Sequence, residues 1–89
     1  MSNSEETLLE FPCRFPVKAM GRASDDFQTL VVDIVERHAP GVDAAAISVR
    51  PSNGGKWLAV TVTIEAHSKA QLDAIYAELT AHERVVWAL

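Results

Sequence analysis

Apolar and polar residues alternate strictly along Lys56–Ala66, the longest pattern of this kind in the chain. Four aliphatic side chains occupy one face of an extended backbone: Leu58, Val60, Val62 and Ile64. The opposite face carries Trp57, Ala59, Thr61, Thr63 and Glu65. Period-two alternation rich in β-branched residues is typical of a strand with one buried face. We therefore predict that this segment is a central strand of a sheet.

Three shorter segments also predict strands. The first is Pro16–Met20, which should begin at or near Pro16 because proline cannot donate a ladder hydrogen bond. Ala45–Arg50 is a weaker candidate, since alanine is a poor strand former. The loop Pro51–Gly55 joins it to the long strand in the manner of a hairpin. In the last segment, Arg84–Leu89, the residues Val85, Trp87 and Leu89 alternate with Arg84, Val86 and Ala88.

Two segments show the three- and four-residue spacing of an amphipathic helix. In the first, Ser24 is a candidate N-cap, with Asp25 and Asp26 in the first turn at the positive end of the helix. Its apolar stripe comprises Phe27, Leu30, Val31, Ile34, Val35 and His38. In the second, Ser68 and Gln71 match the capping box. Its stripe comprises Leu72, Ile75, Tyr76 and Leu79.

The order of elements predicts an α+β fold, a ferredoxin-like βαββαβ sandwich. In this fold a four-stranded antiparallel sheet buries both apolar helix stripes on one face. Residues 1–10 are predicted to form a flexible N-terminal segment and residues 11–89 a single domain. The other sheet face stays uncovered, and it is predicted to carry Lys18, Met20, Ser48, Arg50, Trp57, Ala59, Thr61, Thr63, Val86 and Ala88.

Composition narrows the class of protein. The chain has 89 residues, an apolar fraction of 48% and a formal net charge of −4. The acidic balance argues against broad binding to a phosphate backbone. The single cysteine, Cys13, cannot form an internal disulfide, which suits a reducing compartment. No apolar run is long enough to span a bilayer, and the acidic start lacks the basic region of a signal peptide. We predict a cytoplasmic protein.

The residues give no support to a catalytic, cofactor or metal site. His38, His67 and His82 lack ligand spacing, and the Cys-x-x-Cys of metal carriers with this fold is absent. Carboxylates are scattered, and most fall on predicted solvated helix faces. Cys13 has no neighbouring base, since the adjacent Arg14 points to the opposite face of an extended chain. The chain is therefore predicted not to be an enzyme.

The sequence does not fit two other classes of protein that share this strand order. RNA-recognition domains stack bases on aromatic residues of the two central strands. Here those strands offer Met20, Ala59 and Thr61, and Trp57 alone could stack, so no nucleic-acid partner is predicted. Acylphosphatases need an arginine in an anion-binding loop and a catalytic asparagine. Arg22 and Asn53 lie in predicted loops but not in a matching motif.

An ordered set of short motifs resembles one bacterial family. The motifs are Phe15-Pro16-Val17-Lys18-Ala19-Met20-Gly21, His38-Ala39-Pro40-Gly41, Ser52 with Gly55, and Ile75-Tyr76 with Leu79. In order and spacing they resemble the YbeD-like proteins of unknown function (UPF0250, DUF493), from Leu8 to Leu89. The chain departs from that pattern at Trp57, where tyrosine is usual, and in the alanine-rich Asp43–Ile47. The resemblance implies a ferredoxin-like fold similar to ACT-type regulatory domains that bind small metabolites, and it implies no catalytic residues.

Two functional hypotheses follow. The first is association with a protein partner, or self-association, through the uncovered sheet face. Its predicted residues are Lys18, Met20, Arg50, Trp57, Thr61 and Thr63. The second is an ACT-like small-metabolite sensor at the turn formed by Gly21, Arg22 and Ser24, where free amide donors could hold an anion. A tight turn followed by an N-cap explains the same three residues without a ligand, and we favour it.

Overall fold

The computed structural model describes residues 9–89, so most of the predicted flexible segment 1–10 lies outside the described residues. The elements are β1 Cys13–Arg22, α1 Phe27–His38, β2 Ile47–Pro51, β3 Trp57–Ala66, α2 Lys69–Ala81 and β4 Val85–Ala88. The four strands form one antiparallel sheet in the order β2-β3-β1-β4. With both helices on one face of this sheet, the ferredoxin-like βαββαβ fold is confirmed. Within residues 9–89, no helix combines the length and the apolar character needed to cross a membrane.

The core lies between the sheet and the two helices. The sheet contributes buried side chains from Val17 and Ala19 of β1 and from Val60, Val62 and Ile64 of β3. The helices contribute Phe27, Val31, Ile34, Val35, Leu72, Ile75 and Leu79. The inward face of the long strand is therefore the one predicted from its alternation. Its central position is confirmed, since β3 pairs with both β1 and β2.

Strand β1 is longer than predicted, because it begins at Cys13 and runs through Pro16. Lys18 and Leu89 exchange both backbone N–H···O hydrogen bonds, at 2.9 and 2.8 Å. Every second residue of β1, Pro16 included, therefore directs its nitrogen towards β4. In the described residues β4 pairs with β1 only from Lys18 to Gly21. Proline at position 16 thus costs the sheet no hydrogen bond, which explains why the strand does not stop there.

The start of α1 differs from the prediction. Ser24 does not cap the helix, which begins at Phe27 with Asp26 in the N-cap position and without a side-chain capping bond. The Ser24 hydroxyl instead donates to Asp26 Oδ1 at 3.0 Å. Arg84, just before β4, donates to both carboxylate oxygens of Asp26, at 2.8 and 3.1 Å, and to Ser24 Oγ. Competition from this arginine explains why both side chains leave the helix end.

The capping box of α2 is present and joins the two helices. Ser68 Oγ accepts a hydrogen bond from the Gln71 amide at 3.0 Å. Gln71 Oε1 reaches back to the amide of His67, one residue before the cap, at 2.7 Å. Gln71 Nε2 donates to the His38 carbonyl at 2.8 Å, and His38 Nε2 lies 2.8 Å from Glu78 Oε1. The same glutamine therefore satisfies the start of α2 and the end of α1.

Candidate functional site

The sheet surface opposite the helices is uncovered in residues 9–89, and we call it the open face. Directly opposed residues of neighbouring strands share a face, so the pairing register defines its members. Across the sheet Lys18 lies opposite Thr61, and Thr61 opposite Ser48. The open face comprises Arg14, Pro16, Lys18, Met20, Arg22, Ser48, Arg50, Trp57, Ala59, Thr61, Thr63, Glu65, Trp87 and Leu89. All six residues predicted for an interaction face thus lie on the same surface.

An apolar strip crosses the middle of the open face. Met20 lies opposite Ala59 on β3 and opposite Trp87 on β4. Met20 and Ala59 are partly exposed, and Trp87 exposes 38% of its surface. Arg50 continues the same row on β2, opposite Ala59. An aromatic ring, a thioether and a guanidinium therefore lie in one row across the sheet.

The side of β4 that faces outward was predicted wrongly. Val86 and Ala88 were expected on the open face, and by alternation Trp87 on the opposite side. The pairing of β1 with β4 shifts by one residue between Met20 and Gly21. Trp87 lies opposite Met20, and Val85 lies opposite Gly21. Val86, between them, has no partner residue on β1. Such a β-bulge reverses the alternation beyond it. As a result Ala88 packs against the core and Trp87 lies on the open face.

Trp57 is held at the end of β3 by backbone and side-chain contacts. Its amide donates to Ser52 Oγ at 3.1 Å, and its carbonyl accepts from the Ser52 amide at 2.9 Å. Arg22 lies opposite it on β1, with the guanidinium carbon 6.0 Å from the centroid of the indole ring. This distance is typical of a cation–π contact. The backbone of Trp57 is therefore held in place, and its indole is partly exposed with an arginine beside it.

The predicted ligand turn is built differently from the prediction. Gly21 is buried inside β1, and an added Cβ would meet the Arg84 carbonyl oxygen and the Phe27 ring, each at 2.4 Å. Arg22 ends β1 on the open face, and the next amide, that of Ala23, donates to the Lys56 carbonyl at 2.9 Å. The Ser24 hydroxyl is already bound within the chain by Arg84. The need for glycine at position 21 is therefore explained by packing alone.

Charge–charge contacts shift two carboxylate pKa values, both on the helix side of the molecule. Hydrogen bonds from Arg84 and Ser24 hold the pKa of Asp26 well below its usual range. Hydrogen bonds from Arg37 and His38 lower the pKa of Glu78. Neither carboxylate is poised as a general base, because a lowered pKa weakens proton abstraction near neutrality. The part of the chain that the structure describes brings no three histidine, cysteine, aspartate or glutamate side chains together as a metal site.

Tyr76 places a polar group, its hydroxyl, in the interior on the helix side of the sheet. Its hydroxyl is buried without a hydrogen-bond partner in the described chain, and burial raises the pKa of the phenol. The ring makes an edge-on contact with Phe15, with centroids 6.4 Å apart. A shallow apolar cleft lies beside it, lined partly by Ala88 and Leu89 of the β4 end. Sequence reasoning placed Tyr76 in the helix stripe but gave no signal that its hydroxyl would be left unpaired.

These observations define a small α+β protein of ferredoxin-like fold that leaves an arginine- and tryptophan-bearing sheet face uncovered. The chain belongs to the family described as "Protein of unknown function (DUF493)", whose model matches residues 6–89. It is 45% identical to a UPF0250 protein of Chromobacterium violaceum over 89 residues, covering 100% of both chains. A UPF0250 protein of Paraburkholderia phymatum is also 45% identical, over 96% of each chain. The resemblance found in the sequence motifs is therefore confirmed.

Two solved structures share the fold. The solution structure of protein HP0495 from H. pylori matches with a TM-score of 0.74 at 16% identity, covering 100% of this chain and 93% of that one. The ACT domain from GTP pyrophosphokinase of Chlorobium tepidum matches with a TM-score of 0.64 at 9% identity, covering 85% and 84%. At these identities the likeness concerns the fold alone. The similarity in fold to ACT domains, expected from the sequence motifs, is present.

Proposed function

We propose that the chain is a non-catalytic interaction module that docks a protein partner on its open face. The observation that carries the proposal is the apolar strip of Trp87, Met20 and Ala59 on an uncovered sheet. Aromatic residues, methionine and arginine are enriched in protein interfaces relative to the rest of a protein surface. Trp57 and Trp87 are the candidate anchors, because tryptophan side chains dominate binding energy where they become fully desolvated.

The remaining predicted residues have supporting roles in this proposal. Lys18 and Arg50 are exposed at the border of the strip, where charged groups favour a partner of complementary charge and raise its association rate. Thr61 and Thr63 are partly exposed on β3, with hydroxyls available for hydrogen bonds across the interface. The proposed module works in the cytoplasm, as the single Cys13 suggested.

The test compares tagged wild-type chain with the Trp57→Ala/Trp87→Ala double variant in affinity purification from the native cell and in sedimentation. A partner retained by wild type should be reduced at least ten-fold by the double variant. Gln28→Ala, exposed on α1, is the matched control and should retain the partner. Circular dichroism confirms that each variant is folded. The proposal fails if the double variant retains the partner fully, or if wild type is a monomer that retains no partner.

The alternative is a small-metabolite sensor at Gly21, Arg22 and Ser24. The fold likeness to an ACT domain favours it, and the Arg84 contact with Ser24 weighs against it, since a ligand would have to displace that contact. A ligand bound only by the native state raises the free energy of unfolding by about 2.7 kcal/mol at one hundred times its Kd. Amino acids and small organic acids at millimolar concentration should then raise Tm by several degrees, and a flat thermal-shift screen would exclude the alternative.

A further inference from the structure

We propose that the partner of the open face is an acidic protein segment, an extended stretch in which aspartate or glutamate flanks an aliphatic side chain. This inference rests on the function proposed above and adds the chemistry of the occupant. It starts from the distribution of charge. The chain as a whole is acidic, with a formal net charge of −4. The open face nevertheless carries four basic residues: Arg14, Lys18, Arg22 and Arg50. Among its described residues it has one acidic residue, Glu65, which lies opposite Arg14.

Apart from Glu65, the acidic residues of positions 9–89 lie outside the four strands. The helices and the loops flanking them carry Asp25, Asp26, Asp33, Glu36, Asp43, Asp73, Glu78 and Glu83. The cations there are bound by carboxylates: Arg37 by Glu78, Lys69 by Asp73 at 3.0 Å, and Arg84 by Asp26 at 2.8 Å. In residues 9–89 no such ion pair involves the four open-face cations. Their charge is therefore available to a partner, and an acidic partner is complementary to it.

The spacing of these groups matches an extended segment. Along β1, Lys18 and Arg22 stand two residues on either side of Met20 and on the same face, which is about 7 Å in each direction. Side chains that share a face of an extended peptide have the same two-residue spacing. A segment with acidic, aliphatic and acidic residues at alternate positions can therefore place its carboxylates near Lys18 and Arg22 while its aliphatic group covers Met20.

The same geometry disfavours the other occupants. Two copies of the chain meeting open face to open face would bring two surfaces together that each carry four cationic residues and one carboxylate, so the contact would be dominated by like charges. A single-stranded nucleic acid would need aromatic rings on which successive bases stack. The central strands instead present Met20, Ala59 and Thr61, and Trp57 already has the Arg22 guanidinium beside its ring.

The test titrates the ¹⁵N-labelled full chain with three peptides of equal length. The acidic probe repeats Glu-Thr-Leu-Thr, the neutral probe has glutamine for glutamate, and the basic probe has lysine for glutamate. We expect the acidic probe to shift amide signals of β1, β3 and β4, with a Kd at least ten-fold below that of the neutral probe. The Lys18→Glu/Arg50→Glu variant should lose this preference and bind the basic probe better. Raising salt from 50 to 500 mM should weaken the acidic probe most.

A matched pair of arginine variants controls for a general loss of positive charge. Arg50→Gln should weaken the acidic probe, whereas Arg37→Gln, on the exposed side of α1, should leave it unchanged. Equal binding of acidic and neutral probes on the open face would overturn the charge inference and leave the interaction module standing. Failure of all three probes to shift open-face signals would also reject it. Tighter binding of poly(U) RNA to this face would overturn it in favour of nucleic acid.

Discussion

Gly21→Ala is the substitution whose effect follows most directly from the structure. Gly21 lies in β1 where the bulge of β4 and the first turn of α1 converge. A Cβ atom built at this position would lie 2.4 Å from the Arg84 carbonyl oxygen and 2.4 Å from Cε1 of Phe27. Non-bonded carbon atoms prefer separations of about 3.5–4.0 Å. Both neighbours would therefore have to move by roughly an ångström.

Neither neighbour can move freely. The Arg84 oxygen belongs to the backbone, and the Phe27 ring is completely buried. Overpacking of this kind costs about 1–3 kcal/mol. Alanine recovers about 0.4–1 kcal/mol by restricting the unfolded chain, since Gly21 is not among the positive-φ glycines and the backbone suits an L-residue. The two ranges leave a net loss of up to about 2.6 kcal/mol in the free energy of unfolding. Because one neighbour is backbone and the other is a buried ring, we expect a loss in the upper part of this range, above about 1 kcal/mol.

This loss is measurable by urea and thermal denaturation. For a domain of this size, 1 kcal/mol lowers Tm by about 4–8 °C. Combining Gly21→Ala with Phe27→Leu provides the control, because residues in contact show non-additive effects. The double variant should be less destabilised than the sum of the single variants. If Gly21→Ala were as stable as wild type, the close packing at this position would be refuted, and a ligand-related reason for the glycine would regain weight.

Three further predictions concern stability. Tyr76→Phe should raise the free energy of unfolding by about 1–3 kcal/mol, since it removes a buried hydroxyl without a hydrogen-bond partner. Urea titration measures this change, and an unchanged midpoint would show that the hydroxyl has a partner. The Arg84 contact holds the pKa of Asp26 below its usual range, so its stabilisation is complete above the unfolded pKa of about 3.9 and is lost as pH falls through the lower folded pKa. The Tm gap between wild type and Asp26→Asn should therefore narrow below about pH 4, and a gap independent of pH would contradict this. Ser68→Ala should cost about 0.5–2 kcal/mol through the lost capping bond from Gln71, measured by thermal denaturation, and no loss would mean that water replaces the cap.

Local periodicity was sufficient to predict most of the fold. The alternation in β3 identified its buried face because one face of the strand is covered by helices and the other is not. The Ser68–Gln71 pair gave the start of α2, since both partners of that cap lie within one turn of sequence. The element order then left few ways to bury two amphipathic helices on one sheet.

The errors arose where a residue distant in sequence determined the local structure. Ser24 is a good N-cap in isolation, but Arg84, 60 residues away, binds its hydroxyl. Pro16 lies within β1 because β4 does not extend to that position, which no local pattern reveals. Trp87 was left off the open face because strict alternation was assumed through a bulge. The residues predicted for this face on β1, β2 and β3 do share one surface, but Arg14, Arg22 and Trp87 were missing from the prediction.

The bulge in β4 also affects the edge of the sheet, where backbone groups are left unpaired. An exposed edge strand offers unpaired backbone groups that can recruit another strand and start aggregation. Here the leftover Val86 interrupts the regular spacing of those groups, and at the opposite rim β2 finishes in Pro51, which has no N–H to donate. Edge-to-edge growth into larger sheets is thereby discouraged at both borders, so the chain can keep tryptophan exposed on the open face without becoming a template for its own polymerisation.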